Sequence, residues 1–113
     1  MHTLPNVHQD YHAHFYFDAT SSQFARKLQD TITNELGLPV GNFNQALVGP
    51  HLQWSFEVAF THRQFEMLVD WLALNRNGHS VLIHAVTAND LIDHTEYAHW
   101  LGDAIPLNLS IFN

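Results

Sequence analysis

From Tyr11 to Asp18 the chain reads YHAHFYFD, an unbroken alternation. Only an extended strand sends successive side chains to opposite faces. Tyr11, Ala13, Phe15 and Phe17 therefore share one side, and His12, His14 and Tyr16 the other. A strand with one apolar side needs a second layer, and the following segments supply it. After the polar stretch Ala19 to Ser22, Phe24, Leu28, Ile32 and Leu36 recur at helical spacing until Gly37. Phe43 to Val48 is a candidate second strand, closed by Gly49-Pro50. Gln53 to Phe60 alternates again, with Trp54, Phe56, Val58 and Phe60 on one face and Ser55, Glu57 and Ala59 on the other.

Thr61-His62-Arg63-Gln64 has the capping-box pattern, and Phe65, Leu68, Val69 and Leu72 follow on one helical face before Gly78. His79 to Val86 is a fourth strand. Asp90 caps a last short helix carrying Leu91, Tyr97 and Trp100 and ended by Gly102, and Ile105 to Asn113 adds a short extended tail. The order β-α-β-β-α-β plus a C-terminal helix predicts an α+β, ferredoxin-like sandwich. Residues 1–10 form a flexible arm, and 11–113 a single domain. In this plan the helices cover one sheet face. His12, His14, Tyr16 and Glu57 lie on the other, and an open face with Trp54, Phe60 and Trp100 nearby suits a homodimer.

Charge narrows the partners. The formal net charge is −7 with four Lys plus Arg, so no basic stripe exists to meet nucleic-acid phosphates or an anionic membrane surface. No apolar run approaches the roughly 20 residues that span a bilayer. The N-terminus has no basic flank or apolar signal core, so a cytoplasmic protein is expected. Cysteine is absent, which removes disulfides, thiolate metal sites and cysteine nucleophiles. Histidine is the outlier, with ten copies.

Two residues apart on one strand, His12 and His14 point the same way, roughly 7 Å apart along the chain. Neutral imidazole is a ligand for iron, zinc and copper. His84 sits in the apolar strand Val81-Leu82-Ile83-His84, a neighbour of the first strand in the ferredoxin-like order. If Val81 and Ile83 face the helices, His84 joins His12 and His14. His51 follows Gly49-Pro50, a turn able to aim a side chain back over the sheet. Glu57 is a strand-centre carboxylate flanked by apolar residues, either a ligand in a two-histidine, one-carboxylate set or a partner that orients an imidazole. His94, early in the last helix, is a candidate acid or base. His2, His8, His62, His79 and His99 read as arm, cap, loop or helix-surface residues.

Several segments together resemble the DOPA 4,5-dioxygenase family of small extradiol dioxygenases, from about Tyr11 to Leu107. They are His12-Ala13-His14-Phe15-Tyr16-Phe17, Gly49-Pro50-His51, Ser55-Phe56-Glu57-Val58, Trp71 to Arg76, Ser80 to His84, and Asp90 to Thr95 with Trp100-Leu101-Gly102. Two departures stand out. Ala85-Val86-Thr87-Ala88 replaces the usual Pro-Asn-Thr-Gly, and Leu52 stands where proline is common. The resemblance implies Fe(II), with Zn or Ni able to substitute in a crystal. It also implies dioxygen, a catechol such as DOPA, and a ring-opened semialdehyde product. Mapped onto this chain, it makes His14, His51 and His84 the preferred metal ligands, with His12 or Glu57 able to replace one of them. His94 and His12 are the candidates for proton transfer. The rival is a non-enzymatic ferredoxin-like dimer that binds zinc or a small ligand.

Overall fold

The computed structural model describes residues 5–112. His2 and parts of the expected arm and tail lie outside them. Strand β1 (Asp10–Phe17) is central in a four-stranded antiparallel sheet of order β2-β1-β3-β4. Its neighbours are β2 (Trp54–Thr61) and β3 (Val81–Ala85), and β4 (Ala98–Leu101) lies beyond β3. Helices α1 (Ser22–Thr31) and α2 (Phe65–Asn75) pack on one face.

The helix-side face follows the alternation. Tyr11, Ala13, Phe15 and Phe17 join Phe56, Val58, Phe60, Val81 and Ile83 in one core with Ala25, Leu28, Leu68 and Leu72. Trp54 packs against this core and Phe60 is buried in it, so neither lies on the opposite face to support a dimer there. α1 runs on into a π-helical turn (Ile32–Leu36), and Gly37 at φ 69° ends it in the left-handed conformation that glycine adopts without strain. At the other helix start, Gln64 Oε1 accepts from Thr61 N–H at 3.1 Å, which is half of the expected capping box.

Three strands match the expected plan, and three details differ, one being the tail expected to be extended, where Leu109–Phe112 forms a 3-10 turn. The strand expected over Phe43–Val48 is reduced to a single bridge, Asn44 with Ser55, and Val40 before it makes another with Val58. The C-terminal helix is present but lasts one turn, α3 (Asp90–Asp93), capped by the Asn89 side chain accepting from Ile92 N–H. Tyr97 and Trp100 do not continue it, because the edge of β3 carries backbone groups that need partners. The Tyr97 carbonyl accepts from Ala85 N–H, and Ala98–Leu101 pairs along Val81–His84.

The second sheet face is covered as well. His14, His84, Tyr16, Ser55 and Leu82 all lie on it, and all are buried. Trp100 stacks on Tyr16 from β4, and Leu107 bridges to His51. Among the described residues no helix is long and apolar enough to cross a membrane.

Ile83 is fully buried between the sheet and its helices. Ile83→Ala should cost about 2–5 kcal/mol, read as a shift of the urea midpoint. A loss below about 1 kcal/mol would mean that this layer relaxes around the gap.

Candidate metal centre

The sheet register builds the cluster. His12 stands opposite His84 across β1 and β3, and His14 opposite Glu57 across β1 and β2. The Nε2 atoms of His14 and His84 lie 2.9 Å apart in a buried contact. His12 completes a group of three whose nitrogens all fall within 4.8 Å of one another.

Neighbouring oxygens engage two of these rings as well. His84 Nδ1 lies 2.8 Å from the carbonyl oxygen of Ala85, to which it donates. That bond fixes the tautomer and leaves the His84 Nε2 lone pair facing His14. His12 Nδ1 lies 3.1 Å from Glu57 Oε1. With one imidazole locked as an acceptor and two more beside it, the donor set fits a borderline transition metal held through nitrogen. Nitrogens on adjacent corners around one such ion stand about 3 Å apart, given bonds of about 2.1 Å. The His14–His84 spacing meets that requirement.

Two more histidines reach this group from loops. Gly49, at φ 54°, sits in a turn closed by His51 N–H donating to Val48 O at 3.1 Å. The turn is pinned from outside by Asn108 N–H donating to Pro50 O at 2.8 Å. It brings the His51 ring to 4.2 Å from that of His14, with its Nδ1 2.6 Å from the Tyr16 hydroxyl. His94 closes α3, donates from Nδ1 to Asp90 O at 2.8 Å, and sits with its ring 4.1 Å from His84 and 4.8 Å from Phe112. The buried Asp93 carboxylate anchors this corner by accepting from Thr87 N–H at 2.8 Å and from the Thr87 hydroxyl at 2.6 Å.

Burial sets the charge state. It pushes His84 down to about 3, partly offset by the Ala85 carbonyl, and His51 down to about 4, with His94 adding to the effect. His14 is held well below the ordinary value by burial first and then by the four histidines around it. Tyr16 is pushed upward by burial, so its phenol stays protonated. His14, His51 and His84 are thus held as neutral imidazoles, the form that binds metal.

Two hollows flank the cluster. One, of about 220 Å³, is lined by His14, His51, Asn44, Ser55 and Glu57. The other, of about 460 Å³, is lined by His12, Asp10, Ala59, Thr61 and Val86 among others.

Residues 11–111 match the model of the Dopa 4,5-dioxygenase family. The chain belongs to that family. Its relatives include a DOPA 4,5-dioxygenase of Amanita muscaria, 30% identical over 90% of this chain and 49% of its own length. An uncharacterized 21.2 kDa protein of Botryotinia fuckeliana is 36% identical over 87% of this chain and 58% of that protein. The chain thus spans about half the length of these two curated relatives. A crystal structure from Nostoc punctiforme, of a protein named as a candidate dioxygenase, superposes with a TM-score of 0.86. It is 36% identical over 90% of this chain and 89% of its own.

In this member of the Dopa 4,5-dioxygenase family, all six residues singled out in the sequence gather on one sheet face. His12, His14 and His84 supply the tight group, and Glu57 lies against His12 Nδ1. His51 and His94 complete the surround, each with its ring 6.4 Å from the other. Three contributors escaped sequence reasoning: the Tyr16 contact to His51, the Ala85 carbonyl and the Asp93–Thr87 clamp. Only Tyr16 carried a signal, its place in the β1 alternation. His79, read as a loop residue, stacks on Phe24 with ring centres 5.4 Å apart.

An unfolded chain protonates histidine near pH 6.5, whereas the folded chain keeps His51 and His84 neutral down to about 4 and 3. The unfolded state then binds more protons below pH 6.5, so stability falls as pH drops through that window and is fully present above it. The urea midpoint of the metal-free protein should be level above neutrality and decline toward pH 4, with a smaller decline in His84→Leu. A flat profile over that range would contradict the buried neutral imidazoles.

Proposed function

We propose that this chain carries the catalytic centre of a non-haem Fe(II) extradiol dioxygenase that opens the ring of DOPA or a related catechol. The observation that carries the reading is the 2.9 Å approach of the His14 and His84 Nε2 atoms, with His12 completing the group. His14, His84 and His12 are the ligands the geometry favours, and His51 is the alternative third. When bound, Fe(II) would supply a Lewis acid that favours the deprotonated diol and a centre that holds diol and dioxygen side by side.

The protein's own groups do the rest. The Ala85 carbonyl fixes the His84 tautomer, and Glu57 orients His12 through Nδ1. His94, whose Nδ1 is committed to Asp90 O, keeps Nε2 as a lone-pair acceptor able to take the diol proton. If the neutral Tyr16 hydroxyl donates to His51 Nδ1, the proton of His51 sits on Nε2, and His51 can give a hydrogen bond beside His14. The hollow lined by His14, His51, Asn44 and Ser55 offers space for a ring. Trp100 and Tyr16, stacked at 5.6 Å, close the face toward β4 and keep water from it.

Loading the protein anaerobically with Fe(II), adding a 4-substituted catechol and admitting air should yield a yellow ring-cleavage product. His14→Ala and His84→Ala should lose bound iron and turnover together. His94→Ala should keep its iron and lose about 10²–10⁴-fold in turnover, a typical cost for a proton-transfer group. A fully loaded, fully active His14→Ala protein would remove the assigned centre. Tight zinc binding with no turnover under any metal would leave a binding protein.

A further inference from the structure

The charges around the centre speak to the substrate's side chain. None of the four Lys and Arg residues lines either hollow beside the histidines. Arg26 and Lys27 belong to α1, on the helix side of the sheet, with Arg26 lying 3.9 Å over the Phe43 ring. Arg76 follows α2 and donates to His79 O at 3.0 Å, and Arg63 sits exposed in the turn before α2. Acid, by contrast, faces the centre. Glu57 lines the hollow next to His14 and His51, and Asp10 lines the hollow next to His12.

We propose that Glu57 is a specificity-determining residue that favours catechols bearing an ammonium side chain over those whose only ionised substituent is a carboxylate. This rests on the reading of the site given above.

A carboxylate has about four acceptor positions, and the contact to His12 Nδ1 engages only one oxygen. If His12 is neutral, that contact leaves the negative charge of Glu57 in place. Asn44 and Ser55 line the same hollow and add neutral acceptor oxygens for an N⁺–H group. A substrate carboxylate placed there meets like charge, and like-charge juxtaposition is a recurrent means of rejecting wrong partners. A bound divalent metal would itself draw a substituent carboxylate and repel an ammonium, but the deprotonated diol it holds offsets most of that charge, which leaves Glu57 as the nearest uncompensated charge in this hollow. The Glu57 side chain is 38% exposed, so solvent and salt screen it, and the discrimination should be about tenfold rather than thousandfold.

The test uses three side chains of similar length on one catechol: dopamine, neutral 4-ethylcatechol and 3-(3,4-dihydroxyphenyl)propionate. Binding to the iron-loaded protein is measured without oxygen by tryptophan fluorescence, and air is then admitted. Dopamine should bind about tenfold more tightly than the propionate, with the neutral catechol between them. Salt at about 0.5 M should shrink the gap. Glu57→Gln, which keeps an acceptor for His12, should narrow it to about twofold or less. Equal or better binding of the propionate by the unaltered protein overturns the proposal, as does a ratio that Glu57→Gln leaves unchanged. The unaltered protein's ratio and its salt dependence decide the matter even if the variant does not fold. Discrimination without any ring-opened product would remove the dioxygenase reading and keep the charge selection. Ring opening without discrimination would do the reverse.

Discussion

Two imidazole nitrogens held 2.9 Å apart on neighbouring strands are the constraint around which this structure is organised. Both cannot carry protons along that line. Either one donates to the other, or both lone pairs face a cation. The Ala85 carbonyl decides part of the question by taking the other nitrogen of His84 as its donor, so the near one is left as an acceptor. Everything near the pair respects that choice. His12 arrives from the same strand as His14, directly across from His84, and adds a third nitrogen rather than a counter-charge.

Such a cluster is costly to bury unless its polar atoms have partners. The chain meets the cost with loops in place of a second helical layer. The turn at Gly49 and the corner after β3 bring in His51 and His94, and the segment from Leu107 to Phe112 touches both of those regions. The same enclosure that desolvates the imidazoles keeps them neutral, so metal affinity and low basicity share one cause. It also explains why β1 is buried on both faces, although only one of them packs against helices.

The strands and their faces were legible because alternation is a local signal. It placed His12, His14, Tyr16 and Glu57 on the face opposite the helices, and adjacency of the first and last predicted strands brought His84 to them. What stayed hidden depends on distance along the chain. Choosing between His12 and His51 as the third nitrogen depends on how the Gly49 turn is pinned by residues near Asn108, more than fifty positions away. Asp93 gives no hint in sequence that it folds back on Thr87. The strand at Ala98–Leu101 was masked for another reason. Leu91, Tyr97 and Trp100 mimic a helical period, and the pull of the unpaired β3 edge appears only once the sheet exists.

The departures from the family pattern after His84 can be understood on the same terms. Where the family usually has Pro-Asn-Thr-Gly, this chain has Ala85-Val86-Thr87-Ala88. Ala85 serves the centre through its carbonyl oxygen, which any residue provides. Its N–H donates to Tyr97 O at 3.0 Å, a bond that proline lacks the hydrogen to make. With alanine here, β3 bonds to the incoming segment one residue further along the edge, which ties β4 more closely to the strand that holds His84. Val86 N–H likewise donates to Asp10 O at 2.9 Å and extends the pairing with β1. Thr87 is the position of the four whose side chain acts on the site, through both of its bonds to Asp93, and it matches the family residue. The change at Ala85 thus falls where the backbone does the work, Val86 adds a side chain to the hollow beside His12, and the match persists at Thr87, where a hydroxyl is required.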